Sequence, residues 1–385
     1  MEAKTSSRAL SVAAFIQMTG VGLIVALLPG QMLALSDSPR YVGYLASAFA
    51  VPFMLFQLPI GRLGDRWGCK RFIVLGFLLA SVTGLLFFRS RTAWGLLTGR
   101  FIQGIGEIPT LALAPALLSL LFTRSKGTAI GLYNASIHLG LTAGSLLSLS
   151  LVFSASGRGG FLLFSLMSFV AAMIVALFVA EPLRAVRGQC INPPRWGELL
   201  EGLRSIRRPA IHGGIILYGG GYGTFVTVIP AGLLAIGSSG QGQVSLFFAL
   251  YYIAISVAQV FAGRLSDRRG RDVTIYGGLF CIAAGLALFA LLPGPAVLAF
   301  LTLSAFGLGM FCVSALALLQ EAVPPSLRGS ASGLFYLLWG IGYFALPPLL
   351  GWASATFGYG ATFLGTASLF AAEALALRLS PKTKG

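Results

Sequence analysis

Negative charge is what this chain has least of. Its 385 residues hold 11 Asp and Glu against 27 Lys and Arg, with only two His and four Cys. At 10% charged and 56% hydrophobic residues, it has too little polar surface to clothe a soluble body of this length, and the mean hydropathy of +0.87 agrees. The scarce Cys and His exclude further classes. Cys69 and Cys190 fall in basic stretches expected to be loops, Cys281 and Cys312 in apolar runs, and no metal-type spacing joins them. Free thiols, no metal and no cofactor are expected. No Ser-His-Asp constellation can be placed, which argues against an enzyme. The run Gly219 to Gly223, GGGYG, follows no strand and opens an apolar segment, so it is no nucleotide-binding loop. A net charge of +16 does not point to nucleic acid, because the basic residues cluster in short stretches between apolar runs.

What is abundant is apolar sequence in spans of bilayer length, about 20 residues each. Such runs lie near 9–35, 41–61, 72–89, 93–122, 127–154 and 159–180, then near 210–236, 243–263, 273–292, 295–320, 329–352 and 359–379. They are continuous rather than alternating, which predicts helices and not a barrel. The fold class is therefore all-α integral membrane with 12 transmembrane helices. The first run is too long for a signal-peptide core and is expected to be retained. With both termini placed inside, inner segments hold 22 Lys and Arg and outer loops four, Arg40, Arg89, Arg91 and Arg158; Arg100 lies within a helix. That bias predicts a multi-pass protein of the cytoplasmic membrane with both termini cytoplasmic.

The chain also repeats itself. GRLGDRWG at Gly61 to Gly68 returns as GRLSDRRG at Gly263 to Gly270, 202 positions on. The same offset pairs Gln57 with Gln259, Gly127 with Gly329, Gly131 with Gly333 and Gly140 with Gly342. Two six-helix halves, 1–180 and 209–385, are expected, joined by a polar linker at 181–208. Within it, 196–208 has the pattern of a basic interfacial helix. Duplicated halves are a mark of secondary transporters, whose substrate site lies where the repeats meet.

The motif Gly61-Arg62-Leu63-Gly64-Asp65-Arg66-Trp67-Gly68-Cys69-Lys70-Arg71, with its second copy, resembles the loop between helices 2 and 3 of the major facilitator superfamily. TGRFIQGIGE resembles that family's helix-4 pattern, with Arg100 followed by Gln103-Gly104, and GVGLIVALLPG resembles helix 1 of its drug/proton antiporter branch. The resemblance spans essentially the whole chain and implies two pseudo-symmetric six-helix bundles working by alternating access. It also implies a cytoplasmic gate at Gly61, Asp65, Arg66, Gly68 and Arg71, with Gly263, Asp267, Arg268 and Gly270 in the second copy. There the Asp latches the inner helix ends through Arg pairs and a helix N-terminus. Two departures bear on the branch. Gln17 stands where related antiporters often carry an acidic residue, and Ser145 follows Gly131, Gly140 and Gly144 where a Pro is usual.

Charges inside a bilayer cost at least about 2.5–3.5 kcal/mol each and are functional candidates by default. Arg100 and Glu107 are seven apart, two turns along one helix face, and Gln103 and Thr110 share that stripe. At offset 202, Arg100 corresponds to Thr302, Gln103 to Ala305 and Glu107 to Gly309, so the charges exist in one half only. Glu107 is the leading proton carrier, since burial and a nearby Arg pull its proton affinity in opposite directions; a purely structural pair is the alternative. Asn134 and His138, four apart, face together and suit proton transfer, substrate binding or helix–helix bonding. Gln17, Tyr218, Tyr222, Tyr336 and Trp339, with Tyr343, suit a polar-tipped aromatic lining or ordinary packing. Glu321 and Glu373, near helix ends, suit snorkelling or capping. The expected activity is proton-coupled efflux of a small organic solute by a monomer. A uniporter or proton-coupled importer of a defined solute, such as an organic anion or sugar, is the alternative. The expected partners are small-molecule substrate, protons and the lipid bilayer, with no nucleic acid.

Overall fold

In the computed structural model, the described residues are 2–36, 38–122, 126–151, 158–180, 197, 210–236, 240–292, 294–322 and 328–379. They are helical almost throughout, with no strand among them. In chain order the spans are α1 Glu2–Ser36, α2 Pro39–Trp67, α3 Cys69–Arg89, α4, α5 Lys126–Leu151 and α6 Gly159–Phe178. After them come α7, α8 Gln241–Arg269, α9 Arg271–Leu291, α10 Val297–Glu321, α11 Arg328–Phe357 and α12 Tyr359–Leu379. Two of the twelve are broken. α4 runs Ala93–Ile108, passes through a π-helical turn Pro109–Leu113 and resumes as Ala114–Leu121. α7 is Ala210–Val226 followed by Val228–Ile236, bent by 41°. Nine of the described helices are each long and apolar enough to cross a bilayer, and the bent pair makes a tenth. The all-helical membrane class read from the apolar runs therefore holds. The interfacial helix expected at 196–208 and the linker around it lie outside the described residues, Gly197 excepted.

The chain divides into two compact units. The first is Met1–Asp37, Ala48–Pro193 and Ser239–Ala249; the second is Ser38–Ser47, Pro194–Ser238 and Leu250–Gly385. Each takes the first turns of one helix from the opposite half of the sequence. In the first unit, the start of α8 is held by Gln241, whose Nε2 donates to the Ala26 carbonyl at 2.6 Å, and by Ser245, 2.6 Å from Ser148 Oγ. In the second, the start of α2 is held where Ser47 Oγ donates to the Phe344 carbonyl at 2.5 Å.

Lipid is as apolar as a leucine side chain, so helices in a membrane gain from close van der Waals contact rather than from hiding apolar surface, and small residues permit it. That is how the glycines are used. A Cβ at Gly140 would lie 2.5 Å from the Phe15 carbonyl, and one at Gly144 would collide with the Thr19 carbonyl, so α5 lies directly on α1. In the second unit Gly342 meets the Ile216 carbonyl and Gly219 the Trp339 carbonyl, which seats α11 on α7 in the same manner. The GGGYG run is thus a packing surface, as its place in an apolar segment suggested.

The repeated motif closes two helix reversals with one residue each. Gly68 separates α2 from α3 at φ +98°, and Gly270 separates α8 from α9 at φ +89°. Their N–H groups donate back to the Gly64 and Ser266 carbonyls at 2.8 and 3.0 Å. Positive φ is where a side chain meets its own backbone, which accounts for glycine at both places. Cys69, expected in a loop, is instead the first residue of α3 and fully buried, because the turn is too short to leave it outside.

Candidate functional site

The polar stripe of α4 is a continuous hydrogen-bonded chain. Arg100 Nη1 donates to Gln103 Oε1 at 2.9 Å, and Gln103 Nε2 donates to Glu107 Oε1 at 2.7 Å. The three side chains are 4%, 0% and 5% exposed. The amide thus joins the cation to the carboxylate without direct contact between them, using its acceptor on one side and a donor on the other. The surroundings follow from the local sequence. Gly104 lets α2 close in, since a Cβ there would lie 2.5 Å from the Phe49 carbonyl. That brings the Phe49 ring under the guanidinium of Arg100, 5.0 Å from ring centroid to Cζ, in a cation–π contact. Gly76 and Gly106 seat α3 against α4 on another side.

Just past Glu107, the helix widens. Pro109 supplies no N–H, and the Ala114 N–H reaches the Pro109 carbonyl five residues back. A π-turn of this kind frees backbone groups from the regular ladder. The Thr110 carbonyl accepts from Tyr133 Oη of α5 at 2.8 Å, both groups buried, while Thr110 Oγ1 has no partner among the described residues.

Gln17 of α1 is also fully buried, and neither its Oε1 nor its Nε2 has a partner among the described residues. Two contacts give its depth. Tyr133 lies level with Thr110, and seven residues on, Gly140 lies level with Phe15 to Thr19. Because α4 runs antiparallel to α5, the same ~10.5 Å step leads from Thr110 to Gln103. Gln17 therefore lies at the depth of Gln103 within the first unit.

Other predicted residues of this unit stand apart. Asn134 is exposed on α5, and half-buried His138 has no partner on Nδ1 among the described residues, so the two share a face without closing a site.

In the second unit, Tyr218, Tyr222 and Trp339 are brought together. Tyr222 lies 6.4 Å from Tyr218, 5.9 Å from Trp339 and 6.2 Å from Tyr343, ring centroid to centroid. Tyr336 is at the margin, 47% exposed, with its ring edge-on to Phe335 at 5.5 Å. Sequence reasoning missed Tyr251, fully buried and 5.7 Å from Tyr222. The repeat contained the signal, because Tyr251 is the offset-202 counterpart of Phe49, the ring beneath Arg100. It also missed Phe311 and Phe335, which flank Tyr218 at 5.6 and 6.1 Å.

At the motif residues, Arg271 organises the second copy. Its Nη1 donates to Asp267 Oδ1 at 2.6 Å and to Ser266 Oγ at 2.9 Å, and its Nη2 to Glu321 Oε1 at 2.6 Å. Asp267 thus pairs with Arg271 one turn on, while Arg268 is exposed. Glu321 is an ion-pair partner rather than a snorkelling or capping group, because the α9 start and the α10 end come together there. Gly263 is half-buried, and a Cβ added to it would meet nothing. In the first copy Gly61 is buried and Arg71 exposed; Asp65 and Arg66 lie on α2 with side chains outside the described ones.

Comparison with known proteins yields a consistent picture. The sequence profile of the Major Facilitator Superfamily matches residues 10–240 and 213–385. An uncharacterized MFS-type transporter of Methanocaldococcus jannaschii is 24% identical over 375 residues, covering 94% of this chain and 92% of that protein. Multidrug resistance protein 1 of Bacillus subtilis is 30% identical over 186 residues, 48% of this chain and 47% of that one. Among solved structures, the nucleoside transporter NupG superposes with a TM-score of 0.81 at 16% identity, covering 98% of this chain and 99% of its own.

Proposed function

Because the chain belongs to the Major Facilitator Superfamily and is a membrane transporter of small molecules, we propose that it is a proton-coupled exporter of a small amphipathic organic solute. The observation that carries this reading is the buried Arg100–Gln103–Glu107 chain. A carboxyl that is 5% exposed and tied to a cation through an amide can take up or release a proton only by changing the whole chain. Protonating Glu107 removes the charge that Arg100 faces, so proton binding and solute binding compete for the state of one buried network. The absence of these charges from the repeat positions of the second half suits this division of labour: repeated residues serve the shared mechanics, unrepeated ones the chemistry. The partial likeness to multidrug resistance protein 1 supports efflux. In this reading the protein works as a monomer in the cytoplasmic membrane with both termini inside, and Asp65 and Asp267 hold the cytoplasmic gate.

A second reading rests on Arg100, the one Lys or Arg buried among the described residues. There it holds an organic anion, and the protein is a uniporter or importer. One experiment separates the two. Proteoliposomes with imposed pH and voltage gradients are compared for wild type, Glu107→Gln and Arg100→Ala. Export driven by the pH gradient in wild type and abolished in Glu107→Gln is the expected result. Wild-type flux that ignores the pH gradient refutes proton coupling, and pH-driven flux intact in Glu107→Gln places the carrier elsewhere.

A further inference from the structure

Outside the polar chain of α4, the first unit holds a basic groove between the start of α3 and the end of α6. It has a volume of about 560 Å³ and is lined by Lys70, Arg71, Val74, Leu75 and Ala176. The lining divides by chemistry along its length. Lys70 and Arg71 lie in the first turn of α3, at the helix end, and Val74, Leu75 and Ala176 continue one turn deeper into the span. Two cations at the rim and three apolar residues behind them, with no carboxylate among the described lining residues, form an open amphipathic trough. Leu75 at its wall is 57% exposed. The rim lies at the membrane boundary. Trp67, 53% exposed and stacked on Phe72 at 6.3 Å, stands at the same helix ends, and exposed Trp marks the headgroup level.

The second copy of the motif shows how the arrangement differs from its repeat. At offset 202 the positions of Cys69, Lys70 and Arg71 are held by Arg271, Asp272 and Val273. There the one guanidinium is taken up by Asp267 and Glu321. In the first copy the basic pair is moved onto the groove, and Arg71 is exposed with no carboxylate partner among the described residues.

We infer that this groove binds one anionic phospholipid, its headgroup phosphate at Lys70 and Arg71 and an acyl chain along Val74, Leu75 and Ala176. Charge and depth both select that occupant. The cytoplasmic leaflet is the anionic one, and the inference rests on the proposal that the Lys- and Arg-rich helix ends face the cytoplasm. A free phosphate satisfies the rim and leaves the apolar length unused, whereas a zwitterionic lipid fills the length and carries no net charge to the rim.

The test uses the full-length protein purified in neutral detergent, with lipid retention read by native mass spectrometry and thermal unfolding followed on adding phosphatidylglycerol, phosphatidylcholine or inorganic phosphate. One retained phosphatidylglycerol and a rise in unfolding temperature with that lipid alone are expected. Each cation near a membrane surface is worth about fivefold in affinity for anionic lipid, so Lys70→Gln with Arg71→Gln should weaken retention about 30-fold. Ala176→Phe, which keeps both charges and fills the groove, should also lose the lipid, while Arg269→Gln, removing an exposed charge elsewhere, should keep it. Equal retention of both lipids by wild type, the same stabilisation by inorganic phosphate, or retention unchanged in both groove variants overturns the inference. None of these readouts involves transport, so the result is independent of proton coupling at Glu107.

Discussion

Replacing Arg100 by Met and Glu107 by Gln, singly and together, asks whether the α4 chain is one unit. The two charges never touch; they are linked through Gln103 by bonds of 2.9 and 2.7 Å. Adding the width of an amide places them ~8 Å apart, where two unit charges in an effective dielectric of ~20 attract by about 2 kcal/mol. Arg100→Met leaves the Glu107 carboxylate buried without its cation, a loss of about 3–5 kcal/mol in comparable buried pairs, whereas Glu107→Gln leaves Arg100 its contact with Phe49 and should cost less. The double variant removes both charges and should therefore be about 2 kcal/mol less destabilised than the sum of the singles. The assay is reversible unfolding in mixed micelles, with the four proteins compared under one condition. Additivity within about 0.5 kcal/mol would mean that the charges do not sense each other across Gln103, and the proton reading would fail with it.

Gly68→Ala and Gly270→Ala should each cost about 1–2 kcal/mol of stability, because both glycines hold positive φ, whereas Gly263→Ala, within a helix and meeting nothing, should cost nothing and stabilise by up to about 1 kcal/mol. The same unfolding assay reads all three, and an Ala tolerated at both turns would refute the role given to positive φ. Gly144→Ala drives a methyl into the Thr19 carbonyl of α1 and should destabilise by about 1–3 kcal/mol or more, seen as a lower melting temperature. Glu321→Gln should cost no more than about 1 kcal/mol, since Glu321 and Asp267 are 50% and 67% exposed, and its effect should vanish in high salt. Asp65→Asn should lower transport while leaving solute binding in place, with raised inward-facing accessibility to Cys labelling as the check.

The twelve spans could be read from sequence because a bilayer sets one length and apolar composition reports it directly. The Arg100, Gln103 and Glu107 stripe was equally open to reading, since spacings of three, four and seven place side chains on one helix face whatever the surroundings. What could not be read depends on contacts between distant positions. Arg271 and Glu321 are 50 residues apart, and nothing local distinguishes Arg271 from the neighbouring Arg268 and Arg269. The π-turn at Pro109 to Leu113 is suggested only by a proline in a helix, which by itself predicts a kink or a break as readily. Tyr251 lies between those cases. In isolation it is one aromatic among 45 Phe, Tyr and Trp residues, and only its alignment with Phe49 singles it out.

The single-residue reversals at Gly68 and Gly270 carry a mechanical consequence. A loop of several residues absorbs relative motion of the helices it joins, because its dihedrals turn independently. One glycine, its N–H tied back to the preceding turn, has almost no slack to give. Any tilt at the end of α2 is therefore handed to α3, and any tilt at the end of α8 to α9, so each pair behaves as a stiff elbow. A displacement begun at one helix end is carried across the pair as leverage rather than dissipated in a loop.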